Sequence, residues 1–129
     1  MKMPKADRDT ESFFRSLLPA NEKIVVKPMF GHIAAFVNGN MFAGTFGTQV
    51  FVRLSDDEGA LLMKEKEATK FSPMEGRPMK GYVVFPPAWL NEEVRARAWV
   101  VTSLSFVAAM PAKRKKRYAP TSGTSISRG

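Results

Sequence analysis

The stretch whose residue types and spacing point most directly to chemistry is Lys113-Arg114-Lys115-Lys116-Arg117, five adjacent cations. A run of this kind neutralises phosphates and releases the counterions condensed on them. Binding of that sort is salt-sensitive and indifferent to base sequence. On this reading the partner is DNA or RNA, held by Lys113, Arg114, Lys115, Lys116 and Arg117. An acidic protein offers the same complement, and a merely solubilising tail has the same composition. An anionic membrane surface would attract each cation by about 1 kcal/mol, but no apolar anchor flanks the run. The wider charge balance singles out the same region. The chain has 20 Lys/Arg and 12 Asp/Glu; six of the basic residues and none of the acidic ones lie in 111–129, which leaves 14 against 12 in 1–110.

Elsewhere the chemistry is sparse. There is no Cys, which excludes disulfides, thiolate metal sites and cysteine nucleophiles. His32 is the only histidine, a poor start for a zinc site or a Ser-His-Asp arrangement; a lone His reads as structural or exposed. Lys27, Arg53, Arg77 and Lys80 either gather near one end of a sheet or stand apart as solvated charges. Pro73 to Met79 reads as a structural turn built on Gly76 and two prolines, with a recognition loop as the alternative. It lacks the glycine spacing and terminal Lys-Ser/Thr of a phosphate-binding loop. The expectation is a protein that is not an enzyme and has no cofactor and no metal.

The elements that must carry these residues centre on 24–54. Three apolar runs, Ile33 to Val37, Met41 to Phe46 and Val50 to Leu54, are separated by Asn38-Gly39-Asn40 and Gly47-Thr48-Gln49. Asn and Gly accept the positive φ of tight hairpin turns, so the runs read as an antiparallel meander. Ile24 to Val26 is strand-like, and Pro28 favours an edge or a bend there. Both faces of the meander are apolar, where a sheet with one wet face would alternate. Either helices cover both sides or one side meets a second copy, as in a homodimer. Phe36, Phe42, Phe46 and Phe51 share one parity and form an aromatic stripe, a core or interface face rather than a base-stacking surface.

Asp7 or Asp9 caps a first helix with Phe13/Leu17 and Phe14/Leu18 at i, i+4 spacing, limited by Pro19. Ser55 to Glu58 has the capping-box pattern and opens a helix over about 56–67. A strand Tyr82 to Phe85 follows a loop, with a short strand near Phe71. Asn91 then caps a helix over 92–110, whose apolar positions Val94, Ala98, Trp99, Val101, Phe106 and Met110 predict a largely buried element. The order is α, three strands, α, one or two strands, α: a two-layer α+β domain with an antiparallel sheet. Residues 1–110 form that single domain, and 111–129 have the composition of a disordered basic tail. No stretch reaches the roughly 18 apolar residues of a membrane span, and the N-terminus has no signal-peptide segment. The expected location is therefore the cytoplasm.

Several landmarks together resemble the TfoX N-terminal domain family (TfoX/Sxy-like proteins). They are Lys27-Pro28-Met29-Phe30-Gly31, Asn38 to Gly44, Val50 to Leu54, Phe71, Pro73 to Met79, and Tyr82 to Leu90, spread over roughly 10–110. His32 stands where the family usually has a second Gly. The resemblance implies a secretion-chaperone-like α+β domain without catalytic or cofactor residues. The best-known members regulate natural competence in bacteria with a cyclic-AMP receptor-type transcription factor, and they carry a second, C-terminal domain. Here a basic stretch follows the landmarks instead. The resulting expectation is a non-enzymatic accessory or regulatory protein, transcription- or competence-related, contacting nucleic acid or an acidic partner through Lys113 to Arg117. The alternative is a protein-interaction module acting as a homodimer without nucleic-acid binding.

Overall fold

The computed structural model describes residues 4–29, 31–74 and 76–112. Its elements are α1 (Arg8–Leu17), β1 (Ile24–Met29), β2 (His32–Val37), β3 (Asn40–Phe46), β4 (Gln49–Arg53), α2 (Asp56–Leu62), β5 (Thr69–Lys70), β6 (Tyr82–Val84), a 3-10 turn (Pro87–Asn91) and α3 (Glu93–Ala108). All strands join one antiparallel sheet in the order β1-β2-β3-β4-β6-β5. The two-layer α+β reading holds. The strand-like 24–26 stretch is a full strand, paired along its length with β2 and placed at the sheet edge, where Pro28 needs no ladder partner for a missing N–H.

Local chemistry explains the elements. Asn38 and Gly39 both take positive φ at the β2–β3 turn, as the primed hairpin turns require. Asp7 caps α1, accepting from the Thr10 backbone N–H and hydroxyl; those two bonds, the hydroxyl's first, hold its carboxyl below the usual range. Ser55 caps α2, accepting from Glu58 N–H and donating its hydroxyl to the Glu58 carboxylate.

Three helix expectations need correction. The α2 helix stops at Leu62 rather than near 67, because the chain turns through a positive φ at Glu67 to bury Ala68 and start β5. Asn91 does not cap α3: it ends the 3-10 turn, and Glu92 precedes the helix without a side-chain cap bond. Nor is α3 largely buried. Ala96, Val100, Ser103, Leu104 and Val107 face the sheet, whereas Val94 is 84% exposed and Val101 41%. Nothing among the described residues forms a layer outside it, so only one of its faces can be covered.

The helices occupy one side of the sheet. There Phe14 and Leu17 of α1 and the inner face of α3 pack on Ile33, Ala35, Val37, Phe42, Ala43, Val50 and Val52. The Arg97 guanidinium ties the helices together, donating to Ser16 O on α1 while pairing with Glu93. The opposite side has its own smaller core, Phe51, Phe71, Tyr82 and Val84, with Met41, Phe46 and Met79 against it. Part of this face is covered by the chain itself, where the 71–79 segment folds onto it. That segment is closed at its base by Met79 N–H to Phe71 O (2.7 Å) and Phe71 N–H to Tyr82 O (3.0 Å).

The expected aromatic stripe is broken by a bulge. Ala35 pairs with Ala43 but Phe36 pairs with Met41, so Phe42 is the extra residue of β3. Its side chain turns to the helical side and is fully buried, while Phe46 and Phe51 stay on the other. The Phe42 carbonyl lies just past the end of the β3–β4 pairing, whose last partners are Ala43 and Val52. The buried Ser103 hydroxyl of α3 lies 2.7 Å from that carbonyl and 2.6 Å from Arg53 O, its single proton serving one of the two at a time where the strands end their pairing.

Candidate functional site

The cations Lys113, Arg114, Lys115, Lys116 and Arg117 lie outside the described residues. The root from which they depart is well placed, however. The Asn38 side-chain amide donates to Ala108 O (3.3 Å) and that of Asn40 to Pro111 O (3.1 Å). Asn38 lies in the β2–β3 turn and Asn40 opens β3, so the hairpin that organises the sheet also holds the end of α3 and, at Pro111, the chain two residues before the basic run.

The other sequence-selected cations do not form one cluster. Lys27 is on edge strand β1, its ammonium 4.5 Å from the Phe36 ring centroid. Arg77 lies in the turn closed by its N–H to Met74 O. Arg53 and Lys80 do converge, at the far end of β4, in a groove of about 560 Å³ that also contains Asp56. A neighbouring groove of about 440 Å³ between α2 and residues 78–83 adds Lys70 and shares Asp56. The charge there is mixed, and the helix that borders it is too short to act as an anion-binding dipole.

Pro73 to Met79 is a turn with a packing role, Gly76 taking the positive φ and Met79 reaching the second core. Between this segment and the sheet lies an apolar cavity of about 260 Å³. Phe46, Phe51 and Phe71 form much of its wall, Phe51 and Phe71 stacked with centroids 4.0 Å apart. Met29, Met41 and Met79, each partly exposed, complete it. His32 also lines it. Only 4% of His32 is exposed; its ring lies 4.9 Å from that of Phe46, and its Nδ1 accepts from Gly47 N–H at 3.2 Å. The structural reading of this histidine holds for one of its nitrogens. Sequence reasoning did not assemble the cavity. The signal available was the pairing of Met at strand ends with an aromatic face of constant parity, but the segment covering that face had no periodicity to place it.

Tyr82 closes the second core from β6, donating its hydroxyl to Met41 O (3.2 Å). Burial pushes its phenol pKa up, and the neighbouring Arg53 guanidinium opposes the shift only in part. A raised folded pKa favours the neutral phenol in the fold, so this contribution to stability is complete below the ordinary value of 10.0 and is lost as pH rises through the folded pKa. The expected result is a late step in the ultraviolet phenolate titration that Tyr82→Phe removes; a Tyr82→Phe titration identical to that of the parent would contradict this burial.

Among the described residues no three His, Asp or Glu side chains are grouped as metal ligands, and no helix is long and apolar enough to cross a membrane. No curated protein matches the chain significantly. Residues 16–107 match the TfoX N-terminal domain. The match takes in the end of α1, the entire sheet and all but the last residue of α3.

Proposed function

The chain belongs to the TfoX N-terminal domain family, and from that premise we propose that it is a non-enzymatic regulatory protein of the cytoplasm that holds nucleic acid through Lys113 to Arg117. In this reading residues 1–110 are a rigid protein-binding domain and 111–129 an electrostatic anchor, together bringing a partner such as a transcription factor to DNA. The observation that carries it is the segregation of charge: 111–129 hold six basic residues and no acidic one, while the rest of the chain is nearly balanced. Five adjacent cations suit a polyanion, where each phosphate contact releases counterions, better than a single compact anion. The mixed charge of the Arg53/Lys80 groove makes it a weaker candidate for the same partner.

The test is fluorescence anisotropy with a short DNA duplex. Full-length protein would be compared with a full-length variant in which Lys113, Arg114, Lys115, Lys116 and Arg117 are all replaced by Gln. For five phosphate contacts the log-log salt slope is expected to be about −4 to −5, so affinity falls about 500-fold between roughly 50 and 200 mM salt. The five-Gln variant is expected to lose that binding. Equal binding by the two proteins, or none by either at low salt, would remove the nucleic-acid reading.

A further inference from the structure

The cavity beneath the 71–79 segment holds a feature that packing alone does not account for. An acceptor nitrogen carries no proton, so a His32 ring whose Nδ1 accepts from Gly47 N–H is neutral, with its proton on Nε2. Among the described residues Nε2 makes no hydrogen bond; the one this ring forms is at Nδ1. The other polar side chain lining the cavity, Thr45, is already committed: its Oγ1 accepts from Ile33 N–H and donates to Ile33 O. A deeply buried donor therefore faces an otherwise apolar space. A buried N–H without an acceptor is costly, which makes this one a demand for a partner. Water answers it poorly, because a buried water needs two to four polar partners and these side chains offer one.

We propose that this cavity is a binding site for a small, uncharged, mainly apolar molecule bearing one hydrogen-bond acceptor, which takes the His32 Nε2–H. Among the described residues no lining side chain is charged, so an ionised ligand would enter without a counterion from them. An apolar cavity of about 150 Å³ accommodates benzene; the larger space here suits two fused rings or a short chain ending in a carbonyl. The aromatic walls offer flat surfaces to such a ligand. The three methionines, unbranched and adaptable, can admit it from solvent without displacing the strands.

A matched pair of probes tests the assignment. Indanone and indane share a fused-ring frame, and only indanone carries a carbonyl. Each would be titrated into the nitrogen-15-labelled full chain while amide shifts are followed. Saturable shifts at Phe46, Gly47 and Met79 are expected, with indanone binding about tenfold more tightly than indane. In His32→Phe, indane binding should persist and the preference for indanone should vanish. Met41→Trp, which fills the cavity while sparing His32, should weaken both probes. The proposal is overturned if neither probe shifts these amides, if the parent binds the two equally, or if the preference survives in His32→Phe. Should His32→Phe fail to fold, the comparison on the parent protein and Met41→Trp still decides.

Discussion

Gly44→Val is expected to lower stability by about 3 kcal/mol or more, the upper range for overpacking a well-filled interior. Gly44 sits in the middle of β3, opposite Phe51 on β4. A Cβ there would stand 2.7 Å from Phe51 Cζ and 3.0 Å from Ile33 O. Neither neighbour can yield cheaply. The Ile33 carbonyl is ladder backbone, and the Phe51 ring is held on its other side by the stacked Phe71 ring. Against this, any side chain at 44 gains from a less flexible unfolded state, but by only about 0.4–1 kcal/mol. Because whole domains are stable by about 5–15 kcal/mol, the loss should be plain in a urea transition. A second change, Phe51→Leu, makes room at the point of collision and should restore part of the stability of Gly44→Val while destabilising the parent. A Gly44→Val midpoint equal to the parent's would mean that the ring does not lie on this glycine.

The second large effect separates residues that strand parity treats alike. Phe42→Ala is expected to cost about 3–5 kcal/mol, as for other fully buried aromatic side chains. Phe36→Ala should cost only about 1 kcal/mol, since Phe36 is partly exposed and loses mainly its contact with the Lys27 ammonium. The difference comes from the bulge, which sends Phe42 into the helical core shared with Phe14 and Val100. Chemical denaturation of the two variants gives both numbers. Similar costs for Phe36→Ala and Phe42→Ala would contradict the bulge and restore a continuous aromatic stripe.

The same bulge shows where the sequence ceases to be legible. Turn chemistry announces itself locally: Asn38-Gly39 and Ser55 to Glu58 do what their residue types demand, and the meander follows from them. Strand faces are inferred by counting in twos, and one extra residue invalidates the count beyond it. Nothing in Met41-Phe42-Ala43 marks the insertion, because all three are apolar and suit either side. The exposure of Val94 and Val101 was hidden for a related reason. Apolar residues over half a helix circumference suggest burial, but the number of layers available to bury them is set by the whole fold. The covering of the second face depended on Phe71 and Met79, thrown across the sheet by a loop whose prolines and glycine signal turns but not direction. The cavity and the solitary Nε2 of His32 are products of that covering. The basic run, by contrast, was visible at once, since charge needs no fold to be counted.

The margins of the sheet limit how this protein can meet others. Exposed sheet edges recruit extended peptides and further copies by strand addition, the first step of many aggregation routes. One margin here is β1, interrupted by Pro28 and carrying the Lys27 charge; the other is β5, only two residues long. Neither presents the uninterrupted row of backbone donors and acceptors that an incoming strand would need. The domain is thus guarded against templated growth into fibres even though both sheet faces are apolar. On the proposed function, recognition then falls to side-chain surfaces and to charge.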